Sequence, residues 1–428
     1  MIKALNGMSR RWMRSLSRRV LSPEGTVLYC ETLFRLMGYR QSTVMLDLSQ
    51  VRRVLIIRLD EIGDVVLTTP FLRELRRNLP EAWITLVVKP QVYNLVEFCP
   101  YVDEVLTYDW RAKGRWADLR RHGRALRLAW RHLWQRRFDL AILPRWDTDY
   151  YHGTFLLYFS GAPWRVGYSE TVNERKRRNN KGFDCLLTHP LNDSELKHEV
   201  EHNLDAIRYL GGQIQDGQLE LWLSAEDESF AERFLTNHGV KPGDLLVGLA
   251  PGAGAPKRMW PIDRFAHLGF WVQEAYNARL LVVGGPGEVP LGKDLERALG
   301  ASVVNAVGRT TLRQTAALLK RCRLFVGNDA GPMHLAAAVG VPVVELSCHP
   351  RSGSSWSVNS PLRFGPWGGS HTVLQPSTPR PPCLEECVAK SSHCIWGITV
   401  EQVEQAVARQ LQCATEAVGP LSPPPPTR

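Results

Sequence analysis

Asp329, Ala330, Gly331 and His334 belong to a run, Gly327-Asn328-Asp329-Ala330-Gly331-Pro332-Met333-His334, whose residue types suit an anion. The run joins an apolar strand, Leu324–Val326, to a helical stretch, Met333–Val339; Gly340 closes that stretch and a buried strand, Val341–Leu346, follows. Turn-forming residues, with Pro332 at the first helical position, put a helix N-terminus at this loop. Its free N–H groups and dipole favour phosphate, Gly331 lets the backbone approach a ligand, and His334 sits in the first turn. An ordinary β-α-β turn with a capping Asp and a packed His has the same spacing, so this stretch alone leaves both readings open.

Two more strand-end loops in the second half carry related chemistry. Leu245–Ala250 opens on Pro251-Gly252-Ala253-Gly254-Ala255-Pro256, and Lys257 and Arg258 then precede a helix over Asp263–Tyr276. A Gly-rich backbone with two cations suits a phosphate, although the Gly-Lys-Ser/Thr ending of a Walker loop is absent. Leu280–Val283 runs into Gly284-Gly285-Pro286-Gly287-Glu288, where an acid can bond ribose hydroxyls in nucleotide-binding α/β folds. Each loop suits one part of a nucleotide.

The first half follows the same logic. Val54–Leu59 is a near-continuous apolar strand, as at the centre of a parallel sheet, and Asp60-Glu61-Ile62-Gly63-Asp64 follows it. Thr69 and Pro70 start a helix marked by Phe71, Leu72, Leu75 and Leu79, and Trp83–Val88 is the next strand. Asp64 therefore lies beyond the carboxyl end of a strand, where open α/β sheets bind ligands. Three acids in five residues fit metal ligands or, more commonly, solvated loop charges. Asp139–Pro144 is a further strand, leading into the polar and aromatic loop Arg145–His152. Residues 110–138 read as an Arg- and Trp-rich helical segment with the stripe Leu119, Leu126, Trp130, Leu133 and Trp134; Glu174–Lys181 reads as a basic loop. The helix Glu199–Leu210 closes this half. A short strand near Leu219–Leu223 and a helix over Ala225–His238 mark the change of domain.

No run reaches the ~18 apolar residues of a membrane span, and no signal-peptide core opens the chain. Nine cysteines, an odd number spread along the chain, fit reduced thiols rather than a disulfide framework. Cys383, Cys387 and Cys394, with His393 adjacent, could hold zinc, but their spacing contains no C-x2-C pair, so free thiols are expected. Residues 1–225 carry a net charge of +8 against +2 for the rest, which points to an acidic partner for the first half. No nucleic-acid module accompanies this charge. In residues 2–21, Leu5, Met8, Trp12, Met13, Leu16 and Val20 share one helical face opposite Lys3, Arg10, Arg11, Arg14 and Arg18, as in a helix lying in an anionic membrane surface. The end from Pro420 is Pro-rich and expected to be disordered.

The strand-end loops resemble those of glycosyltransferase family 9, the lipopolysaccharide heptosyltransferases, over roughly residues 52–412. The motifs are the first strand with Gly63-Asp64, the loop Pro251-Gly252-Ala253 through Lys257-Arg258-Met259-Trp260-Pro261, and Gly327 through Ala338. The three-cysteine pattern is also similar to one many members carry. The resemblance implies an α/β chain of GT-B fold, two Rossmann-like parallel-sheet domains facing across a cleft. The domains would be a basic amphipathic leader over 1–50, an acceptor domain over 51–225, a nucleotide-sugar domain over 226–395, and a helix and Pro-rich tail over 396–428. It implies inverting transfer of heptose from ADP-heptose to Kdo-lipid A or a heptosylated inner core. The enzyme would work at the inner face of the inner membrane as a cytoplasmic, peripheral protein. Asp64 matches the general base, Lys257 or Arg258 the cation on the diphosphate, Glu288 the ribose acid, and Asp329, Ala330, Gly331 and His334 the diphosphate loop. No metal or separate cofactor is implied for the chemistry, and nucleic acid is not a partner. Val344–Ser355 departs from the Gly-Pro-Thr loop expected there, and the leader lies outside the family core. Alternatives are a relative using another nucleotide sugar for a capsule or other glycan, and a catalytically silent nucleotide-sugar binder or membrane-bound assembly factor.

Overall fold

The computed structural model describes residues 21–39, 46–114 and 116–418. The amphipathic stretch expected over residues 2–21 lies, but for Leu21, outside them, as does the Pro-rich end from Pro420. Among the described residues, twelve strands form two parallel sheets of six. The first contains β1 (Arg53–Arg58), β2 (Trp83–Val88), β3 (Glu104–Thr107), β4 (Leu140–Leu143), β5 (Trp164–Tyr168) and β6 (His189–Leu191), in the order β3-β2-β1-β4-β5-β6. The second contains β7 (Leu246–Ala250), β8 (Arg279–Val282), β9 (Val303–Asn305), β10 (Leu324–Asn328), β11 (Val343–Leu346) and β12 (His371–Leu374), in the order β12-β11-β10-β7-β8-β9.

The central strands are apolar throughout because both faces are covered. Val54 and Ile56 of β1 enter one core while Leu55 and Ile57 enter another on the opposite face. Val247 and Leu249 of β7 likewise face away from Leu246 and Ala250. In each sheet the strand order reverses at the middle, between β1 and β4 and between β7 and β10, where the loops diverge and leave a crevice at the carboxyl ends. The helix Glu199–Tyr209 packs on Thr69–Asn78, and Val400–Val418 enters the second core through Val403, Ala406, Val407 and Leu411. Phe34 anchors the helix Pro23–Leu36 to the first half.

Three sequence expectations change. Leu219–Leu223 forms no strand: Leu219, Leu221, Trp222 and Leu223 lie against the core without a sheet partner. Glu174–Asn179 is a short helix, and Lys176 within it is buried. The stripe expected over residues 119–134 is only partly inward: His122, Ala125, Ala129 and Leu133 are buried, whereas Leu119 and Trp130 are exposed. A π-turn over Ala129–Leu133 shifts the helical face at that point.

Candidate active site at two facing switch points

Asp64 occupies the first turn of the helix Ile62–Val66, directly after β1. Its Oδ2 accepts from the Glu61 amide at 3.2 Å, and its Oδ1 accepts from Arg145 at 2.9 Å. Arg145 follows β4, so the pair bridges the first switch point. Arg58, from the end of β1, lies 3.7 Å from Asp64, 3.1 Å from Asp60 and 2.9 Å from Glu199. Arg145 also lies 3.3 Å from Asp60. Three acids thus share two arginines in a nearly dry cluster. Burial pushes the Asp64 carboxyl up, but Arg145, Arg58 and the Glu61 amide outweigh it and hold the group below its ordinary value. For Asp60 and Glu199 burial wins, and both carboxyls sit above their ordinary values despite the same arginines. Asp64 is therefore the member of the cluster most readily ionised, and its side chain is also the most accessible of the three acids, at 16%. An ionised carboxylate with spare lone pairs can take a proton.

The second switch point is built from β7 and β10. Asn328, fully buried, accepts from the Trp260 amide at 2.9 Å and donates to the Pro251 carbonyl at 2.8 Å. That clamp holds the 251–260 loop to the end of β10. Arg258 then lies 3.4 Å from Asp329, whereas Lys257 turns away and donates to the Cys387 carbonyl at 2.7 Å. Of the two cations, Arg258 is the one beside the Asp329 loop. Glu288 accepts from the Gly285 amide at 2.7 Å and leans over the β7 loop, where a methyl carbon on Gly252 would overlap its carboxylate. Burial raises its carboxyl above the ordinary value. Ala330 is the N-cap of the helix Gly331–Ala338, and its methyl group offers no hydrogen bond to close that end. His334 is buried, its Nδ1 has no protein partner, and burial holds its imidazole below the ordinary value.

The two switch points face one another. A methyl carbon built on Gly63 would overlap the His334 ring, and one on Gly331 would lie 3.0 Å from Ile62 Cγ2. Two bare glycines thus let the helix starts carrying Asp64 and His334 touch. The structure therefore brings Asp64, Arg258, Asp329, Ala330, Gly331 and His334 around one crevice, with Glu288 at the neighbouring β7–β8 loops and Lys257 drawn off to one side.

Sequence reasoning missed several residues of this region. Arg58 with Asp60, Arg145 and Glu199 come from three separate segments, which the β1–β4 adjacency and the start of the helix Glu199–Tyr209 bring together. Glu345 of β11 is fully buried beside Asp329 and Arg258; burial first, and then the Asp329 charge, push its carboxyl well above the ordinary value. It lies in the stretch that departs from the family pattern. Lys176 donates to the Arg145 carbonyl at 2.7 Å and so fixes the β4 loop, while burial brings its amine down to about 8. Beyond that loop is a cavity of about 480 Å³ lined by Trp146, Asp147, Arg175, Arg178, Trp356 and Arg363. Trp146 and Trp356 stack with ring centroids 5.8 Å apart, and Arg363 pairs with Asp147 at 2.8 Å, so both halves contribute walls. Farther along the second half, Cys383, Cys387, His393 and Cys394 gather into one cluster. None of the nine cysteines forms a disulfide.

Comparison with known proteins gives this geometry a family. A sequence model described as glycosyltransferase family 9 (heptosyltransferase) matches residues 126–393. The lipopolysaccharide core heptosyltransferase OpsX of Haemophilus influenzae is 22% identical over 74% of this chain and 83% of that protein. The solved glycosyl transferase family 9 structure from Veillonella parvula superposes with a TM-score of 0.70 at 25% identity, over 87% of this chain and 99% of that one. The Escherichia coli ADP-heptose lps heptosyltransferase II superposes at 0.63 and 21% identity, over 84% and 99%. The two parallel sheets are those of a GT-B fold, as expected from the sequence. The chain belongs to glycosyltransferase family 9 and is a glycosyltransferase of the heptosyltransferase type.

Proposed function

We propose that the enzyme transfers a heptose from ADP-heptose, with inversion, to an anionic lipopolysaccharide inner-core acceptor. The observation that carries this reading is the juxtaposition of an ionised Asp64 with the Arg258–Asp329–His334 loop across the Gly63–His334 contact. In the transfer, the acceptor hydroxyl oxygen bonds to the anomeric carbon as the bond from that carbon to the diphosphate oxygen breaks. The hydroxyl proton passes to Asp64, and ADP leaves with the bonding pair. Arg258 and the helix N-terminus at Ala330–Gly331 meet the charge growing on the diphosphate, where preorganised donors act most strongly. Glu288 receives the ribose hydroxyls. The Trp146–Trp356 cavity is the place for the acceptor saccharide, its rings offering apolar faces and Arg175 and Arg178 offering charge to phosphate or carboxylate.

The same reading includes work at an anionic membrane surface. Among the described residues no helix is long and apolar enough to cross a membrane. Leu28, Tyr29 and Leu36 are exposed on the helix Pro23–Leu36. That helix packs beside the Arg-rich segment, with Tyr39 donating to the Trp134 carbonyl at 3.0 Å and Arg137 to the Met37 carbonyl at 3.1 Å. Arg120, Arg124, Arg127, Trp130 and Arg131 are exposed on that segment. An apolar and cationic surface of this kind fits an anionic lipid interface.

Turnover of ADP-heptose with Kdo-lipid A, run beside UDP- and GDP-sugars, tests the proposal. ADP-heptose is expected to be the preferred donor. A clear preference for a UDP-sugar, or no turnover with any donor, would overturn it.

A further inference from the structure

We infer that Cys383, Cys387, His393 and Cys394 hold one tetrahedral, thiolate-binding transition-metal ion, of the zinc or ferrous-iron class, and that this metal knuckle braces the loop carrying Arg258. The four ligand atoms all lie within 4.8 Å of one another. His393 Nδ1 is 3.6 Å from Cys383 Sγ and 3.5 Å from Cys394 Sγ. A tetrahedral ion with metal–sulfur bonds of about 2.3 Å and a metal–nitrogen bond of about 2.0 Å sets the sulfur–nitrogen edge at about 3.5 Å. His393 already stands at such separations from Cys383 and Cys394, and Cys387 lies in the same cluster. All three thiols are buried, unlike the exposed Cys185 and Cys413. They also differ from Cys322, a lone buried thiol that acts as a small apolar side chain.

The chain around the cluster supplies a second argument. Between the end of β12 at Leu374 and the helix beginning at Val400, the only regular structure is a 3-10 turn over Cys394–Gly397. Loops longer than about 12–15 residues without regular structure are uncommon in compact domains. This one nonetheless buries Cys383, Cys387, Cys394, Ile395 and Ile398 in the same core as Trp260. A four-ligand crosslink is the economical way to order such a segment.

What the knuckle touches gives it a role. The Cys387 carbonyl accepts from Lys257 at 2.7 Å, and Ser392 donates to the Met259 carbonyl at 2.8 Å. The Ile398 carbonyl accepts from the Trp260 indole at 2.9 Å. Arg258 stands between these attachment points. On the other side, the Glu385 carbonyl accepts from the Ser354 amide at 2.9 Å and Glu386 accepts from Ser357 at 2.7 Å, flanking Trp356. Lys257 is thus a positioning residue, tying the Arg258 loop to the knuckle.

Elemental analysis of the full chain, purified under reducing conditions without chelator, should find about one zinc or iron per chain, and the analysis itself tells the two apart. Exchange with Co(II) should give the visible absorption of a tetrahedral site and a thiolate-to-cobalt charge-transfer band. Cys387→Ser/Cys394→Ser should lose both metal and band. Negligible transition metal as purified, together with no charge-transfer band on cobalt titration of the reduced wild-type chain, would overturn the site. So would a Cys383–Cys394 disulfide in the native protein. The bracing role rests on the nucleotide site proposed above, whereas metal content does not. Lys257→Met should keep its metal and bind ADP several-fold more weakly than wild type. Unchanged ADP affinity in that variant, with wild-type ADP binding intact, would remove the brace but leave the metal. Absent ADP binding in the wild type would instead strike the nucleotide site.

Discussion

The two switch points solve opposite electrostatic problems with similar backbones. At β1 and β4, Asp60, Asp64 and Glu199 share Arg58 and Arg145 in fixed, nearly dry geometry. At β7 and β10, the cluster is left open. Arg258 meets Asp329 only at 3.4 Å, Glu345 is held toward its neutral form, and Ala330 leaves a helix end uncapped. The first arrangement fixes the charge of one carboxylate. The second keeps donors available for a charge that arrives with the ligand. On the proposed mechanism, a base needs the former, because its proton affinity must be set before the acceptor binds, and a leaving-group site needs the latter, because its charge develops during the reaction.

The largest effect should come from removing the fixed charge. Asp64→Asn keeps the side chain's size and one oxygen, and should lower turnover by about 10²–10⁴-fold while ADP affinity, measured by calorimetry, stays near wild type. A variant retaining more than about a tenth of the wild-type rate would leave Asp64 as a helix-start acid with no part in proton transfer.

Arg145→Gln tests whether the cluster sets that charge. Losing one partner of a buried ion pair costs roughly 3–5 kcal/mol, so thermal unfolding should occur at clearly lower temperature. The pH dependence separates this from simple destabilisation. The folded value of Asp64 is depressed, so its stabilising contribution is present above the unfolded carboxylate range and lost as pH falls through the depressed value. The acid limb of kcat/KM should accordingly lie below the ordinary aspartate range in the wild type and move upward in Arg145→Gln. A limb that stays in place while stability falls would give Arg145 a structural role only.

Arg258→Gln probes the open site and should cost less. A hydrogen bond to a charged group contributes about 1.5–3 kcal/mol, equivalent to roughly 10–150-fold in ADP affinity. Because Arg258 stands beside the Asp329 loop and Lys257 beside Cys387, the loss should appear in binding of ADP far more than of adenosine. Equal losses for both ligands would mean that the loop has collapsed.

The same contrast explains what was legible in the sequence. Strands such as Val54–Ile57 announce themselves because both faces are buried, and Asp64, Glu288 and Asp329 through His334 because each follows such a strand. Arg145 and Glu199 gave no local signal: Arg145 reaches Asp64 because β4 lies beside β1, and Glu199 reaches Arg58 from the start of its helix, neither of which spacing along the chain encodes. Glu345 reads as an ordinary residue of a buried strand until the fold sets it near Asp329. The alternating Leu219, Leu221 and Leu223 imitate a strand because they line a core edge, while Glu220 between them pairs with Arg73 at 2.8 Å. Lys257 and Arg258, adjacent and alike in sequence, separate only once the Cys387 carbonyl is placed.

The smallest effects belong to the surface far from both switch points. Trp130 and Leu36 are 64% and 82% exposed, and neither touches the crevice. Burying a large apolar side chain completely is worth ~1.5–3 kcal/mol, and partial insertion at a lipid interface gives less. Each nearby arginine adds about 1 kcal/mol at an anionic surface, and salt screens that part. Leu36→Ser/Trp130→Ser should therefore weaken binding to anionic vesicles modestly, and deletion of residues 1–24 should weaken it further if the amphipathic stretch contributes. Turnover on a soluble, deacylated acceptor should be unchanged in both, while turnover on lipid-embedded acceptor falls in parallel with vesicle binding. High salt should reduce binding without abolishing it, since the apolar contribution remains. If both variants still sedimented with vesicles as the wild type does, attachment would have to run through the arginines of the 117–137 segment alone, and high salt would then release the protein completely.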